Sequence, residues 1–158
     1  MKTKVLVATS LVMLTVVSFA WAPSPTLQNV RATLVDDKNL RVSWEEINLP
    51  PNTNVTYAVN AAALATYACV NSSGNCPGTE YVVRQPVGTN ATYLSSKRGV
   101  VYGTVTMEAP VAPSTFTCAG GQTMVLSEIS YRLILVQDLS GPSKVASPSS
   151  MTETFACN

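Results

Sequence analysis

The chain contains no histidine. That absence excludes Ser-His-Asp and Cys-His catalysis, His-ligated metals and the usual neutral-pH proton shuttle. Charge is scarce too: ten Lys and Arg stand against nine Asp and Glu, together 12% of the residues, and no stretch forms a basic stripe. Such a surface has no electrostatic means of gathering phosphates, so neither nucleic acid nor an anionic membrane is an expected partner. Beyond the N-terminus no apolar run approaches the ~20 residues of a spanning helix. No segment carries helical periodicity, and neither an internal repeat nor a domain boundary interrupts the chain. Nothing in it calls for a cofactor.

The N-terminus reads as an export leader. Lys2 and Lys4 form a short basic start, Val5 to Phe19 is an apolar run, and small residues follow where a signal peptidase cuts. Ser18-Phe19-Ala20 and Ala20-Trp21-Ala22 both fit the small-x-small rule. Cleavage after Ala22 would place Pro23 next to the scissile bond, so Ala20 is the expected site and Ala22 the alternative. Residues 21–158 then form one domain, large enough for a true core. Without the two leader lysines, eight basic residues face nine acidic ones, a net charge of −1.

Four cysteines remain: Cys69, Cys76, Cys118 and Cys157. An even number in an exported chain predicts two disulfides. A four-thiolate zinc site is disfavoured because its ligands come in pairs two to four residues apart, whereas the closest two here lie seven apart. Four cysteines allow three connectivities.

Turn signals recur every eight to twelve residues or so, between segments rich in Val, Thr and Tyr. That spacing predicts an all-β antiparallel sandwich of about seven to nine strands. The expected strands are Leu27–Val35, Leu40–Glu46, Asn54–Asn60, Leu64–Val70, Tyr81–Arg84, Ala91–Leu94, Val100–Met107, Thr123–Asp138 and Met151–Cys157. Asp36-Asp37-Lys38-Asn39 is a hairpin turn, since Asp and Asn bond back to the local backbone and tolerate left-handed geometry. Leu40, Val42 and Trp44 alternate with Arg41, Ser43 and Glu45, the period-2 pattern of a half-buried strand. In the longest segment Val125, Ile129, Tyr131, Leu133 and Leu135 are expected on one face. Its length exceeds that of an ordinary strand and predicts a bulge near Ser127. Asn71–Thr79 and Ala109–Gly121 are loops.

The residues that could carry chemistry have structural readings beside them. Paired carboxylates can hydrolyse glycosides, but Glu45 and Glu46 are strand neighbours that point to opposite faces, and Asp36 and Asp37 sit where turns favour acids. All four are expected to be solvated structural acids. Trp44 shares a face with Leu40 and Val42, which makes it a core residue rather than a sugar platform. Tyr81, Tyr93 and Tyr102 are the better candidates for exposed aromatics. Lys97-Arg98 reads as a solvated turn. Asn54, Asn71 and Asn90 head N-glycosylation sequons, used only in a eukaryotic host.

Two resemblances accompany these residues. Leu40-Arg41-Val42-Ser43-Trp44, Tyr131-Arg132-Leu133-Ile134-Leu135 and Gly141-Pro142-Ser143 resemble the B strand, F strand and F–G turn of fibronectin type III domains, which implies an Ig-like or fibronectin-III-like architecture. Over most of the chain, the blocks Leu49–Tyr57, Ala65–Asn71, Arg98–Thr104 and Cys118–Tyr131 are similar to a group of small exported proteins of bacteria and fungi. That resemblance implies a fold and an export route, and carries no active site. In its pattern the recurrent cysteines match Cys69 and Cys118, implying Cys69–Cys118 and Cys76–Cys157 as the bonds. Loop-closure entropy leans the same way, whereas local spacing alone would join Cys69 to Cys76.

The functional expectation is an exported, non-catalytic binding or structural module with an unidentified extracellular protein or glycan as partner, its loops the working surface. The alternatives are a carbohydrate- or cell-wall-binding module, a secreted inhibitor or effector acting through the two long loops, and a His-free carboxylate hydrolase.

Overall fold

The first hairpin follows from its turn. Asp36 and Asp37 adopt φ of 51° and 60°, a left-handed pair that matches the strand twist, and the turn closes with Lys38 N–H donating to the Val35 carbonyl. It joins β1 (Thr26–Val35) to β2 (Asn39–Ile47). The structure is a computed structural model that describes residues 23–141, 145–155 and 157. The expected leader, with its cleavage at Ala20 or Ala22, lies outside the described residues.

Six further strands follow: β3 (Asn54–Asn71), β4 (Tyr81–Leu94), β5 (Val101–Met107), β6 (Gln122–Asp138), β7 (Val145–Ala146) and β8 (Met151–Thr154). They form two antiparallel sheets, β1-β2-β5 and β4-β3-β6-β7, with β8 also paired to β6. The chain crosses between sheets after β2, after β4 and again after β5. This is the antiparallel sandwich the punctuation predicted, with eight strands among the described residues.

The two sheets meet over Leu40, Val42 and Trp44 of β2, Val101 and Met107 of β5, alternating residues from Val55 to Ala65 of β3, and Ile129, Tyr131, Ile134 and Val136 of β6. Trp44 packs at 5.0 Å from the Tyr57 ring and 5.7 Å from Tyr93. It lies directly over Gly103, its partner across β2 and β5, where a Cβ would fall 2.2 Å from the indole carbons. Only glycine leaves room for the tryptophan there.

Several strand expectations need correction. Asn54–Asn60 and Leu64–Val70 are parts of one strand, because β3 is central and laddered on both sides. Its run through Ala61, Ala63 and Ala65 is buried at every second residue despite the weak β-propensity of alanine. Tyr81–Arg84 and Ala91–Leu94 likewise belong to one strand. Pro86 does not break it, because β4 is an edge strand whose outer side needs no donor. In β6 the bulge at Ser127 is where the length predicted it: Thr66 faces Glu128 and Tyr67 faces Leu126. The Ser127 hydroxyl donates to the Thr66 carbonyl at 3.0 Å, satisfying a group the bulge would strand.

A second bulge was not foreseen. Asn60 faces Leu135 while Ala62 faces Arg132, so β6 carries an extra residue opposite Ala61, and Leu133 takes φ of 50°. An extra residue inverts the inward-outward phase. Leu133 and Leu135 therefore do not share the face of Ile129 and Tyr131. They are 76% and 40% exposed, and Ile134 and Val136 take the core positions.

The sheets differ in length. At about 3.3 Å per residue, β3 extends roughly twice as far as β2, so the β3-β4-β6 sheet overhangs its partner. The segment after β5 covers the overhang. Tyr67 Oη donates to the Pro110 carbonyl at 2.7 Å, Phe116 packs on Tyr81 at 5.2 Å, and Cys69 is bonded to Cys118. Cys76 is bonded to Cys157, holding the C-terminal end to the loop after β3. These are the two bonds the resemblance implied. Two disulfides fit an oxidising compartment.

Candidate binding surface

The outer face of the short sheet is set by the residues that alternate with the core. On β2 these are Arg41, Ser43 and Glu45, and on β5 Tyr102, Thr104 and Thr106. Register places Glu45 beside Tyr102, Ser43 beside Thr104 and Arg41 beside Thr106. β1 adds a third column, and its ladder slips between Gln28 and Arg31, with Asn29 at φ 52°, so that Arg31 rather than Val30 stands opposite Ser43. Through that bulge both Gln28, opposite Glu45, and Arg31, opposite Ser43, come to the outer face. Across the sheet, one row reads Gln28, Glu45, Tyr102 and the next Arg31, Ser43, Thr104.

The small Ser43 at the centre leaves an open hollow of ≈ 430 Å³, bordered by Asn29, Arg31, Glu45, Tyr102 and Thr104. Tyr102 is 75% exposed. Glu45 is fixed by two amides: Asn29 Nδ2 donates to its Oε2 at 2.6 Å and Gln28 Nε2 to the same atom at 3.0 Å. The Asn29 hydrogen bond, then the one from Gln28, with a smaller contribution from Tyr102, hold the Glu45 carboxyl below the usual carboxylate range. The group is therefore an ionised acceptor at neutral pH. Arg31 has no hydrogen-bond or ion-pair partner among the described residues, so its guanidinium fork remains available.

The β5 edge beside this hollow is closed by a side chain from the other sheet. Thr104 N–H donates to Tyr93 Oη at 3.0 Å, and the Tyr93 hydroxyl donates to the Thr104 carbonyl. Tyr93 is accordingly half-buried against Trp44 and Tyr57 rather than an exposed aromatic as expected. Tyr81 is 40% exposed, with Phe116 on its ring. Trp44, at 3% exposure, is the core residue its alternation predicted.

The acidic candidates are dispersed. Asp36 and Asp37 lie in the exposed β1–β2 turn. Glu45 and Glu46 point to opposite faces, as strand neighbours must. Glu46 departs from the solvated acid expected of it and is fully buried, accepting from Tyr57 Oη at 2.7 Å. The alternation through Leu40, Val42 and Trp44 carries Glu46 inward, and the phenol hydroxyl makes the position tolerable. Burial, then the Glu46 hydrogen bond, push the Tyr57 phenol far above its ordinary range. Among the described residues no group of three or more Cys, Asp or Glu could hold a metal ion.

Lys97 and Arg98 sit in an exposed turn, as expected. Asn54 and Asn90 are exposed on β3 and β4, whereas Asn71 Oδ1 accepts from Ser73 N–H and Asn75 N–H, both at 3.0 Å. Sequence reading singled out Tyr102 and Glu45 but not Gln28, Asn29, Arg31, Ser43 or Thr104. Alternation places the β2 and β5 residues on the outside, and nothing local marks the slip at Asn29 that brings Arg31 opposite Ser43. No family model, curated protein or solved structure matches the chain.

Proposed function

We propose that the protein is an exported, non-catalytic binding module of Ig-like or fibronectin-III-like architecture, and that the outer face of β1-β2-β5 is its binding surface. The carrying observation is the hollow over Ser43, where an exposed aromatic ring, a fixed carboxylate and a free guanidinium converge. Pockets of this kind pair one apolar contact with a few oriented polar groups. Export is supported by the leader-like N-terminus together with the two disulfides. The sheet order, with β1-β2-β5 packed on β4-β3-β6-β7, supports the fibronectin-III-like reading.

The test fills the hollow. Ser43→Arg should leave the fold intact, since Ser43 lies on the outer face, and should abolish retention of extracellular or cell-envelope material on the immobilised protein. Retention unaffected by Ser43→Arg would overturn the assignment of the surface. Turnover of glycosidase, esterase or protease substrates that vanishes on replacing one Asp or Glu would overturn the non-catalytic reading.

A second reading, a secreted inhibitor or effector, is favoured by one observation at the other end. Val111, in the disulfide-held cover loop, is 79% exposed, beside a hollow bordered by Tyr81, Val82 and Pro113. Retention lost in Val111→Asp but kept in Ser43→Arg would favour it.

A further inference from the structure

We infer that the ligand of the hollow is a neutral pyranose unit within a longer extracellular saccharide chain, stacked on Tyr102. The inference rests on the reading of this face as the binding surface and adds the chemical class. A sugar hydroxyl both donates and accepts, so a site for a polyol must offer both functions around an apolar plate. Here Arg31 only donates, the ionised Glu45 only accepts, and the Ser43 and Thr104 hydroxyls do either. Both amides reach Glu45 Oε2, and with the contribution of Tyr102 they use about three of the roughly four acceptor positions of an ionised carboxylate, leaving capacity for a further donor. Tyr102, 75% exposed, supplies the accessible aromatic ring of the hollow, since Trp44, which also lines it, is only 3% exposed.

Other ligand classes fit the same groups worse. An anion would meet the carboxylate of Glu45, and a cation the guanidinium of Arg31. A purely apolar ligand would strand both charges away from water, at a cost that apolar contact over a shallow face does not offset. A nucleic acid would require cationic contacts in number, and this hollow has one. The hollow is open rather than enclosed, so it can hold an internal unit of a chain that continues past both ends.

The test titrates neutral gluco-, xylo-, manno- and chito-oligosaccharides of two to six units into the intact protein. Backbone and aromatic NMR shifts are read alongside binding to a glycan array with neutral and uronate-containing glycans. The expected result is saturable binding of a neutral series that strengthens with chain length and shifts Ser43, Glu45 and Thr104. Tyr102→Ala should weaken it about tenfold or more, which corresponds to about 1.4 kcal/mol. Tyr102→Phe should retain it, because the plate and not the hydroxyl stacks, and Arg31→Gln should weaken it severalfold. Unchanged thermal unfolding of the Tyr102 variants assigns the loss to binding. Binding confined to uronate-containing glycans would overturn neutrality. No binding of any glycan, with retention of material still abolished by Ser43→Arg, would overturn the saccharide and keep the module. Retention indifferent to Ser43→Arg would take both down.

Discussion

The sandwich is built in two ways along its length. Where β2 and β5 face β3 and β6, two layers of side chains interlock around Trp44, Tyr57 and Tyr131, and no covalent bond is needed. Where β3, β4 and β6 run on past the short sheet, a second layer is missing, and a loop held by Cys69–Cys118 takes its place. In this second region Tyr81, Val82, Val111 and Met124 are all exposed. Packing density can close an interface between two sheets. A loop without regular structure offers less apolar contact and gains its hold from reduced chain entropy.

Trp44→Ala tests the packed region and carries the largest expected effect, a loss of about 3–5 kcal/mol measured by denaturant unfolding, because the space left by the indole lies between two laddered sheets that cannot close on it. A mutant of unchanged stability would break the distinction at its stronger end. Joint replacement of Cys69 and Cys118 by Ala tests the overhang. Opening a loop of 49 residues should cost about 4 kcal/mol in the chain-entropy model. Amide exchange should quicken first in residues 66–71 and 122–128, with the strands around Trp44 still protected. Equal acceleration in both regions would show that they are one cooperative unit.

Alkaline titration probes the packed region without mutation, because Tyr57 and Tyr131 both lie in it. Burial raises the Tyr131 phenol to about 12, with a smaller contribution from Tyr67, and raises Tyr57 further. Both rings stay neutral in the folded chain at a pH where unfolded tyrosine, near 10, begins to ionise. Their contribution is therefore complete below about pH 10 and is lost as pH rises towards 12. Stability measured between pH 9 and 12 should fall, and less steeply in Tyr57→Phe once its lower starting stability is subtracted. A profile flat to pH 12 would mean that these rings ionise in the folded state as readily as in the unfolded one.

What the sequence disclosed followed local rules, and what it concealed depended on pairing between distant segments. The alternation of Leu40, Val42 and Trp44 marked the core side of β2, Asp36-Asp37 marked the hairpin, and excess length marked the bulge at Ser127. The continuity of β3 through Ala61–Ala63 was hidden, because alanine is a weak strand former that holds here only through ladders on both sides. The continuity of β4 through Pro86 was hidden too, because no local signal says that β4 is an edge, where proline is tolerated. Glu46 is inward by the same alternation that buries Trp44, but its hydrogen bond comes from Tyr57 on the opposite sheet. The candidate surface was half legible: Tyr102 and Glu45 stood out, while the rows joining them to Arg31 and Ser43 exist only in the register of three strands.

The smallest expected effect concerns Leu133, and it concerns how the packed region is kept in phase. A leucine at φ 50° is in a conformation that costs a non-glycine residue about 1–3 kcal/mol. Its side chain, 76% exposed, recovers little of that through burial. The extra residue it represents aligns Ile134 and Val136 with the core, so the fold needs the bulge but not the leucine. Leu133→Gly removes the steric conflict and adds some unfolded-state freedom, whereas Leu133→Asn keeps a side chain that tolerates the left-handed region. Both should stabilise by about 0.5–1 kcal/mol, a rise of a few degrees in Tm for a domain of this size, with Asn the better of the two if chain entropy decides. A fall in Tm for both variants would mean that the exposed Leu133 side chain contributes more by its contacts than its backbone loses by strain.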